Sequence, residues 1–158
     1  MNAVVIDASA ALSLVFPDDD SEKVHAFFST LAPETELIVP PLWWYECTNV
    51  LLTVVKRKRL EASEAREALA ALWELPVRTD ASPLIHGWIE GGAHRDANAP
   101  PTPVSSTFIF HVGLTRDLSA YDSAYLCLAE LHGAALLSLD DGVRAVARDL
   151  GITVAELG

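Results

Sequence analysis

Short apolar runs alternate along most of the chain with longer stretches of helical periodicity. Asn2–Ile6 is apolar up to Asp7 and short enough for a strand buried on both faces. Ala8–Phe16 carries helix-forming residues as far as a stop at Pro17-Asp18-Asp19-Asp20, and Ser21–Leu31 is a second helical stretch. Glu36–Val39 reads as a strand closed by Pro40-Pro41. A long helix is expected from about Leu42 to Arg59, and another over Ser63–Leu75 with Ser63 as its cap. Pro76–Arg78 is a candidate third strand. Further on, Ser119–His132 reads as a helix, Ala134–Leu139 as a strand, Asp141–Leu150 as a helix and Ile152–Ala155 as a last strand. Strands separated by helices imply right-handed crossovers and a mainly parallel sheet covered on both faces. Gly91–Ser106 breaks this rhythm. It holds Gly91-Gly92 and three of the nine prolines, so it reads as a long irregular insertion, about residues 87–106, in a single domain spanning 1–158.

Composition narrows the class. A chain of 158 residues can bury a core without a disulfide or metal staple, and 51% hydrophobic with 21% charged residues excludes wholesale disorder. Cys47 and Cys127 lie far apart in apolar surroundings and read as reduced core thiols. No apolar run reaches the length of a membrane span, and an acid at position 7 stands where a secretory signal would be apolar, so cytoplasmic residence is expected. The 22 acids against 11 bases give a formal charge of -11. That balance argues against a broad basic nucleic-acid surface, allows a carboxylate-lined cation site and suits a basic partner.

Four acids stand at telling places. Asp7 and Asp140 follow apolar strands, at the sheet edge where sites form in open parallel sheets. Asp122 lies in the first turn of the helix after Ser119. Glu46 sits inside Leu42-Trp43-Trp44-Tyr45-Glu46-Cys47, on a helix whose Trp43, Cys47, Val50 and Val54 make one apolar stripe. Glu46, Asn49 and Thr53 make a narrow polar stripe beside it. Each acid also has a local explanation. Asp7 and Asp140 (or Asp141) suit helix N-caps, Ser119-Ala120-Tyr121-Asp122 matches a capping box, and Glu46 could face solvent. A shared cation explains all four at once. Clustered carboxylates repel and raise one another's pKa values, and an oxygen-only donor set suits Mg²⁺ or Mn²⁺. Ser9 and Asn49 would complete such a site as neutral hydrogen-bonding groups.

In this order, Val5-Ile6-Asp7-Ala8-Ser9-Ala10, Glu46-Cys47-Thr48-Asn49-Val50-Leu51, Leu118-Ser119-Ala120-Tyr121-Asp122-Ser123-Ala124-Tyr125-Leu126 and Ala135-Leu136-Leu137-Ser138-Leu139-Asp140 resemble the PIN-domain nucleases, specifically the VapC-type toxins of bacterial toxin–antitoxin pairs. The resemblance covers nearly the whole chain except about 87–106. It implies a three-layer α/β/α sandwich and a Mg²⁺- or Mn²⁺-dependent endoribonuclease. Asp7, Glu46, Asp122 and Asp140 stand at the family's acidic positions, and Ser9 and Asn49 at its supporting polar ones. It also implies a homodimer and a cognate antitoxin that brings a basic side chain near the acids. Three features depart from the pattern: the longer loop, Ser138 in place of the more usual threonine, and Asp141 directly after Asp140. Strand alternation favours Asp140 of that pair.

Other signals fit less distinctive roles. Lys56-Arg57-Lys58-Arg59 gathers four bases at the end of the Glu46 helix, either to hold RNA phosphates or as ordinary cations at a helix C-terminus. Arg144 and Arg148 sit one turn apart on what reads as a solvated face. The five histidines show no metal-ligand spacing, and the four tryptophans suit core or interface. The competing reading is a non-catalytic PIN-like module that binds RNA or protein. A dinucleotide enzyme is excluded, because Asp7-Ala8-Ser9-Ala10-Ala11 lacks the glycines that would admit a pyrophosphate.

Overall fold

The computed structural model of the protein describes residues 2–16, 18–81 and 106–158. Four strands and seven helices alternate through the described residues: β1 (Ala3–Ile6), α1 (Ala8–Val15), α2 (Ser21–Thr30), β2 (Glu36–Val39), α3 (Leu42–Lys56), α4 (Ala62–Trp73), β3 (Val77–Thr79), α5 (Ser106–Arg116), α6 (Ala120–His132), β4 (Ala135–Leu137) and α7 (Asp141–Asp149). All strand pairs are parallel and the order is β3-β2-β1-β4. In β1 the consecutive residues Val4, Val5 and Ile6 are fully buried, which requires cover on both faces. Helices α1 to α4 pack on one another as one layer, while α5 packs on α6, which lies on β1 and β4. The result is the expected three-layer α/β/α sandwich.

The register puts the C-terminal ends of β1 and β4 together. Ile6 pairs with Leu137, and the Asp7 amide donates to the Leu137 carbonyl at 3.0 Å. Asp7 and Ser138 therefore leave the sheet side by side. Helix α6 ends on Gly133, whose φ of 55° lies in the left-handed region that a glycine adopts without a Cβ penalty. Both cysteines are buried, and desolvation pushes each thiol up to about 12, so they are inert core residues as expected. No described helix is long and apolar enough to cross a membrane.

Four local expectations change. The alternation read from the sequence does not include α5, because Thr107-Phe108-Ile109-Phe110 is rich in strand-forming residues and Gly113 disfavours helix. Packing on α6 decides the matter: Phe108, Ile109 and Val112 are buried, and a Cβ on Gly113 would stand 3.1 Å from the Leu118 carbonyl. Helix α4 is capped at Glu61, not Ser63, with the Glu64 carboxylate accepting from the Glu61 amide at 2.8 Å. The last strand reduces to one bridge, Leu136 to Val154. The apolar stripe of α3 runs through Trp43, Cys47 and Leu51, while Val50 is 41% exposed. A step of four in place of three turns the helix, so its Asn49 side is open. The inserted loop lies outside the described residues except for Ser106, which begins α5.

Candidate active site

Asp7 ends β1 and begins α1. Its carboxylate accepts from the Ala10 amide at 3.0 Å and from the Ser9 hydroxyl at 2.5 Å, so it does cap the helix. The Ser9 oxygen in turn accepts from the Leu139 amide at 3.0 Å, tying the two strand ends together. Only 7% of Asp7 is exposed, and burial raises its pKa against the lowering effect of hydrogen bonds from Ser138, Ser9 and Ala10. Asp122 begins α6. The Ser119 hydroxyl accepts from the Asp122 amide at 3.0 Å and donates to its carboxylate at 2.7 Å. Asp140 caps α7 by accepting from the Val143 amide at 3.0 Å, and its own amide donates to Ser138 at 3.1 Å. The local roles expected of these three acids therefore exist alongside any chemical one.

Glu46 shows what draws the acids together. It comes from α3, in the other helical layer, and its carboxylate accepts a short hydrogen bond from the Tyr125 hydroxyl of α6. Its pKa is raised by burial first, and then by the negative charges of Asp122 and Asp7, while the Tyr125 hydrogen bond lowers it. Glu46 thus lies within the field of both Asp122 and Asp7 although the three are far apart in sequence. Asn49 lines the same open cleft as Glu46, about 490 Å³ in volume, with Leu42, Tyr45 and Tyr121. Among the described residues Asp140 has no comparable link to the other three. Among the described residues Ser138 joins it to Asp7, serving both the Asp7 carboxylate and the Asp140 amide. Asp141 is 96% exposed on its side chain, 3.4 Å from Arg144.

Charge pairing separates these acids from another at a strand end. Asp80 follows β3 and is buried, but accepts from Arg78 at 2.6 Å and meets the His132 ring at 2.8 Å. Its charge is compensated by protein. Among the described residues, none of Asp7, Glu46, Asp122 and Asp140 pairs with a basic side chain. Likewise among the described residues, no three acids, histidines or cysteines stand close enough to form a ready-made metal cage. Each carboxylate is engaged by a hydroxyl or an amide instead. Uncompensated carboxylates, with those of Asp7 and Glu46 raised in pKa, and oxygen-only donors still fit a hard divalent cation in charge and chemistry.

Ser138 and Tyr125 are supporting residues that a reading of the acids alone does not find. Tyr125 follows Asp122 by three residues, and that helical spacing is its only sequence signal. Tyr125→Phe is expected to raise the Glu46 pKa further, because the hydroxyl lowers it. The acid limb of the pH–rate profile should move to higher pH with the plateau rate little changed. An unmoved limb would separate Glu46 ionisation from activity. Elsewhere Arg144, largely buried, and the more open Arg148 pair with the exposed Glu156 at 3.5 and 3.0 Å. Trp43 is fully buried, and Trp44 stacks on Trp73 with ring centroids 4.2 Å apart.

A parallel sheet with uncompensated acids at its C-terminal edge, fed by helices from both layers, defines an α/β domain with an acidic cleft. The family model described as PIN domain matches residues 4–149. Ribonuclease VapC3 of Pyrobaculum aerophilum is 31% identical over 137 residues, which cover 87% of this chain and 88% of that protein. The fold is shared with the crystal structure of FitAcB from Neisseria gonorrhoeae, with a TM-score of 0.60 and 13% identity over 97% of this chain and 96% of that one. It is shared also with VapC20 of Mycobacterium tuberculosis, a sarcin–ricin loop cleaving toxin, with a TM-score of 0.55 and 14% identity over 90% and 94% of the two chains. The chain belongs to the PIN domain family and, within it, to the VapC type.

Proposed function

We propose that this chain is an endoribonuclease that cuts RNA phosphodiester bonds as the toxin of a toxin–antitoxin pair, with Asp7, Glu46, Asp122 and Asp140 as its acidic site and Ser9 and Asn49 in support. The observation that carries the reading is electrostatic. Glu46 reaches from one helical layer to within the field of Asp122 in the other and of Asp7 at the sheet edge between them, with none of them paired to a base among the described residues. Capping explains Asp7 and Asp122 singly, but bringing Glu46 into their field without a basic partner costs stability, and that points to chemistry. Asp7, Glu46 and Asp122 would hold Mg²⁺ or Mn²⁺, with Asp140 beside them. That cation supplies Lewis acidity toward a phosphodiester oxygen and toward water.

The chain's own groups orient and tune. Ser9 fixes the Asp7 carboxylate and anchors it to the β4 end through Leu139. Ser119 and Tyr125 fix Asp122 and Glu46. Asn49, exposed in the same cleft, offers an amide to the substrate. A homodimer and a basic antitoxin segment accompany this reading, and the charge of -11 suits the latter. The test is cleavage of a pool of tRNA, rRNA and mRNA by the purified protein with Mg²⁺, with Mn²⁺ and with EDTA, beside a folded Asp122→Asn variant. Cleavage should require the cation and vanish in the variant; cutting that persists in both EDTA and the variant would exclude this site.

A further inference from the structure

We infer that Tyr45 and Tyr121 form a two-sided platform that stacks unpaired RNA bases flanking the phosphate to be cut. The inference rests on the nuclease reading above and names how that site grips its substrate. The two rings come from different layers, α3 and α6, and face one cleft of about 490 Å³ together with Glu46 and Asn49. Each precedes an acid by one residue, Tyr45 before Glu46 and Tyr121 before Asp122. Both stand open, 78% and 63% exposed. Among the described residues neither ring stacks on another aromatic, whereas Trp43, Trp44 and Trp73 form a contiguous ring cluster.

Two large aromatic faces left in water around a cleft are unusual for a core-forming sequence, and they suit a flat apolar ligand. Nucleobases have that face, and only unpaired ones can turn it toward a protein. The charge argues the same way. A chain with 22 acids and 11 bases, and acids in this cleft, cannot hold RNA mainly through phosphates there, so base contacts must carry more of the affinity. The exposed Lys56–Arg59 quartet lies ten residues further along α3 from Glu46 and beyond its end, where it would meet phosphates at a distance.

The test is fluorescence anisotropy with a labelled, unpaired RNA 12-mer of mixed sequence in Mg²⁺, using the Asp7→Asn background so that the RNA stays whole. Tyr45→Ala and Tyr121→Ala should each weaken binding about tenfold, within what stacking on one aromatic supplies, while both phenylalanine variants keep it. The slope of log affinity against log salt should stay unchanged in the alanine variants but flatten in Arg57→Glu with Lys58→Glu, because stacking releases no counterions. Unchanged affinity in either alanine variant overturns the platform and leaves the nuclease reading standing. An equal loss in the phenylalanine variants assigns the effect to the hydroxyls and also overturns it. A loss that tracks a change in oligomeric state by sedimentation makes the tyrosines a protein interface instead. Absence of any RNA binding by the background protein overturns the platform, while the nuclease reading stands or falls on cleavage by the natural protein.

Discussion

Asp7→Asn is expected to lower RNA cleavage by about 10³-fold, the order lost when a preorganised charge at a reacting centre is removed, while making the protein more stable in EDTA. The two effects share one cause. Burial raises the folded-state pKa of Asp7 above its unfolded value. The fold therefore prefers the protonated acid. The stability this contributes is full below the unfolded pKa and is lost as pH rises through the folded one. At neutral pH the ionised carboxylate is a burden on the fold. Asparagine removes the charge, while its amide oxygen can still accept from the Ala10 amide and the Ser9 hydroxyl. Thermal melts at pH 7.5 in EDTA should show the variant above the natural protein, by about 2–4 °C for each kcal/mol relieved. Added Mg²⁺ or Mn²⁺ should raise the melting point of the natural protein and leave the variant nearly unmoved. A variant that is less stable than the natural protein in EDTA would mean that the carboxylate is a structural cap first and a cation ligand at most second.

Trp43→Ala should cost about 3–5 kcal/mol, the range for deleting a large buried aromatic. That is a fifth or more of the net stability of an ordinary domain. Trp43 is fully buried in the face of α3 that carries Cys47 and Leu51, edge-on to Trp44 at 4.6 Å. Collapse around the cavity would also tilt the helix that delivers Glu46. Trp43→Phe should cost much less than alanine, because the buried indole nitrogen has no hydrogen-bond partner among the described residues and phenylalanine removes that donor. Urea unfolding followed by far-UV circular dichroism measures both. Equal losses for the two variants would show that ring volume is irrelevant at this position.

Much of this was legible because it is local. The strand-end acids Asp7 and Asp140, the Ser119 cap and the stop after α1 each depend on neighbours a few residues away. The parallel sheet followed from the alternation of periods. What was not legible is set by distant packing. Helix α5 forms against its strand-like composition because α6 supplies its partner surface. The turn of α3 is fixed by burying Leu51, which the sequence does not distinguish from Val50. The Glu46–Tyr125 hydrogen bond spans 79 positions, and the buried Asp80–His132 pair spans 52. Asp80 is the instructive case: by position alone it is as good a candidate as Asp7, and only its partners Arg78 and His132 mark it as structural.

The borders of the sheet have a consequence for solution behaviour. On one side Val154 seals β4, with the Leu136 amide donating to Thr153 and the Ala155 amide donating to Leu136, both at 2.8 Å. On the other, β3 is three residues long and carries Arg78, bridged to Glu36 and Asp80. A template for aggregation needs a long, flat, apolar row of unpaired amides. One margin is already occupied by the chain's own tail and the other is brief and charged, so the fold itself guards a protein this rich in apolar residues against growing into fibrils strand by strand.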